Sequence, residues 1–146
     1  MNDKRKKAIN TLKRMMEYPG RFSILVLGDN GVGKTHWISQ NIQVLKGGSS
    51  KDFLITVDSA LAEDSKEFWA GVFEKANNKY LIVEEVEKLS QKSQDIIFNI
   101  LSTENGKFGL DEKDFEVVVV FTSCYPIEKL RNDRRYLSSK FYDRIS

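Results

Sequence analysis

Eight consecutive residues, Gly28-Asp29-Asn30-Gly31-Val32-Gly33-Lys34-Thr35, hold the most informative chemistry in this sequence. Their three glycines let the backbone turn so that several N–H groups face one centre with no Cβ in the way. A lysine and a hydroxyl residue complete the spacing GxxxxGK[ST]. The pattern predicts a cradle for nucleoside triphosphate, with Lys34 as a point charge on the outer phosphates and the Thr35 hydroxyl as a ligand of Mg²⁺. A helix opening near Lys34 would aim the positive end of its dipole at the same phosphates.

A second pair of reactive groups, Glu84-Glu85, ends the apolar run Tyr80-Leu81-Ile82-Val83. Acids after such a run often just face solvent. Beside a phosphate cradle they gain a role, because ligands of a parallel sheet sit at the carboxyl ends of its strands. Glu84 would then hold the metal through water, and Glu85 would orient and deprotonate an attacking water.

Both motifs need a scaffold, and the apolar pattern supplies one. Four short runs stand out: Ser23-Ile24-Leu25-Val26-Leu27, Phe53-Leu54-Ile55-Thr56-Val57, Tyr80-Leu81-Ile82-Val83 and Glu116-Val117-Val118-Val119-Val120-Phe121. Each is nearly continuous and not alternating, as expected of parallel strands covered on both faces. Segments with helical spacing fall between them at 35–45 (Trp37, Ile38, Ile42, Leu45), 65–76 and 89–101 (Leu89, Ile96, Ile97, Ile100, Leu101). This rhythm predicts an α/β sheet with crossover helices. Residues 47–50 and 103–114 read as loops, and Ala8, Ile9, Leu12 and Met16 as an amphipathic helix over residues 1–20.

Composition narrows the class without deciding it. A chain of 146 residues is about one domain, and 40% hydrophobic with 30% charged residues is a globular balance. A net charge of +2 does not call for nucleic acid, and the Lys4-Arg5-Lys6-Lys7 cluster reads as a solvated helix end. Cys124 is the single cysteine, so no internal disulfide forms; with no apolar leader or membrane span, a cytoplasmic protein is expected. His36 has no second histidine to work with, and Trp37 and Trp69 read as packing groups.

Residues 28–35, Leu81-Ile82-Val83-Glu84-Glu85-Val86-Glu87-Lys88-Leu89 and Ser93-Gln94-Asp95-Ile96-Ile97-Phe98-Asn99-Ile100-Leu101 resemble the AAA+ ATPases. The likeness is closest to the central, sigma-54 interaction domain of bacterial transcription activators. Val57-Asp58-Ser59-Ala60-Leu61, Asn105-Gly106-Lys107-Phe108-Gly109 (at that family's hairpin before the fourth strand) and Phe141-Tyr142-Asp143-Arg144-Ile145-Ser146 extend it from about Arg21 onward. The resemblance implies a P-loop three-layer α/β/α domain over 21–146 with its parallel strands in the order first, fourth, third, second and the first at an edge of this chain's sheet, ATP and Mg²⁺ as cofactors, and self-association into a ring in the full-length protein. It implies the transcription machinery as partner, with DNA reached only through domains outside this chain. It also implies roles: Gly28, Asp29, Asn30, Gly31, Val32, Gly33, Lys34 and Thr35 around the phosphates, Thr35 and Glu84 at the metal, and Glu85 as general base. Thr122-Ser123-Cys124 would read the γ-phosphate, and Arg144 would be an arginine finger acting on a neighbouring subunit's nucleotide.

The departures from that family pattern are specific. Glu84 stands for the usual Asp, Cys124 for the sensor Asn, and Ser138 for a second arginine. Residues 58–78 are too few for the loop carrying Gly-Ala-Phe-Thr-Gly-Ala that touches sigma-54. The chain also stops at Ser146, before the fifth strand and helical lid of a complete module. These departures keep two other expectations open: a nucleotide-binding switch or scaffold with little turnover, or an AAA+ motor of another branch, such as replication or phage defence.

Overall fold

A computed structural model describes residues 21–28, 34–46, 53–102, 108–110 and 113–146. Its sheet is built from β1 (Arg21–Leu27), β2 (Leu54–Asp58), β3 (Lys79–Glu84) and β6 (Val117–Ser123), all parallel, in the order β1-β6-β3-β2. That is the expected order, with β1 and β2 at opposite edges. The helices are α1 (Lys34–Lys46), α2 (Lys66–Lys75), α3 (Gln91–Leu101), α4 (Ile127–Asn132) and α5 (Ser139–Ile145). The expected N-terminal helix over 1–20 and the loop at 47–50 lie outside the described residues.

The continuous apolar runs follow from two-sided burial, since every residue of β6 and the four inner residues of β3 are buried. Their side chains divide with period two. Leu81, Val83, Val117, Val119 and Phe121 meet Trp69, Phe73, Ile97, Ile100 and Phe141 on one face. Tyr80, Ile82, Val118 and Val120 meet Ile38 and Ile42 of α1 on the other. Trp69 and Phe141, both fully buried, anchor the larger cluster, and truncating either to alanine costs about 3–5 kcal/mol.

Two segments differ from expectation. Residues 103–114, read as a loop, include an antiparallel pair, β4 (Phe108–Leu110) with β5 (Lys113–Phe115). Phe108 and Phe115 face each other in its register and are both buried, Phe115 against Phe73 at 5.8 Å. Their burial outweighs the turn-like composition around them. The helix expected from Leu89 starts two residues later: Val86–Lys88 form a 3₁₀ turn, and Ser90 caps α3 by accepting the Ser93 N–H at 3.0 Å. Ile96 is only half-buried, its expected inward place taken by Ser93 and Gln94.

Those two polar residues join α3 to its neighbours. The Trp69 indole N–H donates to Ser93 Oγ at 2.9 Å, and the Ser93 and Ser90 hydroxyls both donate to Asp64 Oδ1, at 2.9 and 2.6 Å. The fully buried Gln94 donates to the Leu89 and Tyr136 carbonyls at 3.1 and 2.7 Å and accepts from Ser138 N–H at 2.9 Å. Every polar atom of that amide is used, so it binds the start of α3 to the start of α5 without an unmade hydrogen bond.

The serine hydroxyls favour ionised Asp64 and hold its carboxyl below the ordinary value, which sets a sign for pH. A depressed folded-state pKa stabilises the fold above the unfolded value, near about 3.9, and that stability fades as pH falls through the folded value. The stability difference between the parent and Asp64→Ala, measured by urea unfolding, should therefore shrink as pH is lowered from neutrality into that acid range. A difference independent of pH would show that the ionised carboxylate contributes nothing.

Candidate functional site at the carboxyl edge of the sheet

Parallel pairing brings the carboxyl ends of all four strands to one edge, where Gly28, Glu84, Glu85, Thr122 and Ser123 lie among the expected site residues. The Gly28 N–H donates to the Ser123 carbonyl at 3.1 Å, which ties the first residue of the glycine motif to the end of β6. Asp29, Asn30, Gly31, Val32 and Gly33 lie outside the described residues. Lys34 and Thr35 open α1, so a helix N-terminus follows the motif at once; their side chains too are outside the described set.

Glu84 ends β3 with Asp58 of β2 as its Cα partner, so two carboxylate residues sit side by side at this edge. Asp58 turns its own side chain back to accept the Ala60 N–H at 2.9 Å. Glu85 follows with φ 54° and ψ 58°, in the left-handed region. A second positive φ among the described non-glycine residues falls on Asn78, a type that tolerates it, whereas glutamate does not. Glu85 is held there by its N–H, which donates to Thr122 Oγ1 at 3.4 Å, and by an ion pair from Oε2 to Lys88 Nζ at 2.8 Å. The hydrogen bond and charge of Glu85 raise the Lys88 pKa, with smaller help from Asp58 and Glu87.

The end of β6 supplies the third side of the site. Thr122 and Ser123 are buried; Thr122 receives Glu85 as described, and Ser123 Oγ accepts the Tyr125 N–H at 3.1 Å. Cys124 Sγ–H donates to Glu87 Oε1 at 3.6 Å, while Glu87 Oε2 is buried with no hydrogen-bond partner among the described residues. Sequence reasoning gave no role to Asp58, Glu87 or Lys88. Strand register is the signal that would have found Asp58, because it ends β2 where Glu84 ends β3.

Arg144 is not at this edge. Its guanidinium donates through Nε at 3.0 Å, and through Nη2, to the Leu101 carbonyl at the C-terminus of α3. Gln94 joins the starts of α3 and α5, and Arg144 joins their ends. Seven residues at 1.5 Å each place that contact roughly 10 Å farther from the carboxyl edge. Within one chain, Arg144 and Glu85 are therefore kept apart.

The donor set suits Mg²⁺. Thr35 and Glu84 offer hard oxygen ligands, and Mg²⁺ commonly keeps waters and substrate phosphates in the rest of its shell. Among the described residues no group of three His, Cys, Asp or Glu could hold a metal by itself. None of the described helices is long and apolar enough to cross a membrane.

The sequence model of the sigma-54 interaction domain matches residues 6–146. The chain belongs to that family. No curated protein matches it. Among solved structures, NtrX from Brucella abortus is 18% identical with a TM-score of 0.65, over 94% of this chain and 34% of that one. The same protein crystallised in complex with ATP gives 18% and 0.63, over 95% and 35%. The Holliday junction branch migration motor RuvB of Thermotoga maritima gives 14% and 0.69, over 100% and 44%. This sigma-54 interaction domain thus spans about a third of NtrX and under half of RuvB. At such identities the likeness shows the fold, that of the P-loop AAA+ proteins.

The left-handed backbone at Glu85 has a measurable consequence. Glycine adopts that conformation freely, so Glu85→Gly should leave the domain at least as stable, gaining up to about 1 kcal/mol. Glu84→Gly, at an ordinary strand position, should lose roughly 0.5–1 kcal/mol. Urea midpoints of the two variants check this, and a clear loss on Glu85→Gly would contradict the φ described.

Proposed function

We propose that this domain binds Mg-ATP at residues 28–35 and hydrolyses it when assembled into a ring, as the AAA+ module of a sigma-54-activator-like transcription regulator. In this reading residues 1–20 form a helix ahead of the module at 21–146. The observation that supports it most is the gathering of Gly28, Glu84, Glu85, Thr122 and Ser123 at one edge of a single sheet. NtrX, of the same fold, has been crystallised with ATP and with ADP.

Each residue has a role that its chemistry allows. Backbone N–H groups of the glycine turn and the start of α1 receive the phosphates, and Lys34 adds a positive charge. Thr35 and Glu84 would hold Mg²⁺, which when bound would offset phosphate charge. Glu85 orients the attacking water and takes its proton; the Thr122 hydroxyl, on its backbone N–H, fixes where that carboxylate starts. Ser123, beside Thr122 at the end of β6, would read the γ-phosphate. Arg144 would serve the nucleotide of an adjacent subunit, where a guanidinium meets the charge developing on the transferred phosphoryl.

A second reading, a nucleotide-dependent switch with little turnover, draws on two contacts. The Glu85 carboxylate is occupied by Lys88 instead of facing a water, and Cys124 is engaged by Glu87 where the family resemblance puts the sensor amide.

Two measurements test these readings. Millimolar Mg-ATP or Mg-ADP should raise Tm, since a ligand at 100 times its Kd adds about 2.7 kcal/mol to the native state, and Lys34→Ala should remove most of the shift. An unmoved melting curve would reject nucleotide binding altogether. For catalysis, Glu85→Gln should bind nucleotide without turnover, and Arg144→Ala should lose turnover only in the assembled form. Mixing the two variants creates some interfaces with both groups intact, so partial activity should return. A mixture as inactive as its parents, beside an active wild type, would show that Arg144 does not act across the interface.

A further inference from the structure

Among the described residues, Glu87 is the one charged side chain that the fold buries. It is 7% exposed and sits on the 3₁₀ turn Val86–Lys88. Lys88, the next residue, does not serve it, being taken by Glu85 at 2.8 Å. Glu87 Oε1 accepts from the Cys124 thiol, a weak donor, and Oε2 has no partner among the described residues. Burying a carboxylate is costly unless its charge is met, and an orphaned oxygen of this kind points to a bound water or ion.

The neighbouring sulfur says which. Cys124 is half-buried just past the end of β6, with Sγ 3.6 Å from Glu87 Oε1. A tetrahedral ion with Zn–S near 2.3 Å and Zn–O near 2.1 Å holds its sulfur and oxygen ligands about 3.6 Å apart. The two side chains therefore already stand at the separation of two ligands on one ion. Charge agrees as well, since a thiolate and a carboxylate together neutralise a divalent cation. Sulfur selects against Mg²⁺ and Ca²⁺, which favour all-oxygen shells, and for Zn²⁺.

We propose that Glu87 and Cys124 form a site for a thiophilic divalent cation, Zn²⁺ by its chemistry, separate from the Mg²⁺ ligands read as Thr35 and Glu84. On binding, the cation replaces the thiol proton, which leaves to solvent; nothing is oxidised or reduced. Two protein ligands leave the rest of the shell to water, so the ion is exchangeable and the fold does not require it. Cys124 follows Ser123, whose carbonyl holds the Gly28 N–H, so the ion adds positive charge beside the start of the glycine motif. The site stands whether or not that motif binds nucleotide.

Cadmium is the probe, because a thiolate on Cd²⁺ absorbs in the ultraviolet and Cys124 is the single cysteine. Titrating the reduced 146-residue chain with Cd²⁺, without nucleotide, should raise that band and saturate at one equivalent. Zn²⁺ should displace the cadmium, and millimolar Mg²⁺ should not. Cys124→Ser should lose the band outright. Glu87→Gln keeps the thiol and the side-chain shape but drops the charge, and should weaken binding about tenfold or more. Circular dichroism of each variant confirms the fold. A wild type with no saturable band overturns the site and leaves the pair as a hydrogen bond alone. Equal affinity in Glu87→Gln also overturns it, since Cys124 then binds as an isolated thiol. Displacement by Mg²⁺ overturns the separation from the Mg²⁺ ligands. The Tm shift with Mg-ADP, read on Cys124→Ser, reports on the nucleotide reading by itself.

Discussion

The parallel pairing of β6 with both β1 and β3 is the constraint on which the site depends. Val117 of β6 is the Cα partner of Arg21 and of Lys79, so three strands start level and end level. Gly28, Glu84 and Ser123 then arrive at the same edge by chain geometry alone, with no loop having to reach across. The hydrogen bond from Gly28 to Ser123 extends that ladder by one residue into the glycine motif. A register slip of one residue in β6 would turn Val117, Val119 and Phe121 away from Trp69 and Phe141, so the core that stabilises the fold also fixes the alignment of the edge.

Against this ordered background the local strain at Glu85 is conspicuous. The strand before it is regular and buried, and the 3₁₀ turn after it packs Val86 and Glu87 inward. A glutamate in the left-handed region costs on the order of 1–3 kcal/mol. Thr122 and Lys88 together hold the residue where the end of β3 meets the end of β6. The position is one at which the backbone would accept glycine or asparagine more readily, and the chain carries an acid.

Much of this could be read from the residues in order. The runs at β1, β2, β3 and β6 were nearly continuous because both faces of the sheet are covered, and that pattern has a direct physical cause. The glycine motif and the acid pair could be placed because each abuts a strand end. The β4–β5 pair was legible only through the family resemblance, which set a hairpin at 105–109 before the fourth strand, since three-residue strands offer too little periodicity and Phe108 and Phe115 are matched only once they face each other. Gln94 was hidden for another reason: an amide inside a helix reads as a solvent-facing residue, and its three partners lie on backbone 5, 42 and 44 positions away. The same holds for Arg144, whose role in the fold is set by a carbonyl 43 residues earlier.

The double fastening of α3 to α5 makes the pair a mechanical unit. Gln94 pins the ends nearest the carboxyl edge, and Arg144 pins the far ends on Leu101, like two rungs between parallel rails. Rails joined at one end can splay; joined at both, they tilt together or not at all. A displacement of the 3₁₀ turn after Glu85 would enter α3 at Gln91 and leave it at Leu101, with α5 carried along. The β4–β5 hairpin, which packs against α3, would then move by leverage, so a chemical event among the half-buried carboxylates at the carboxyl edge could be felt there without any change inside the core.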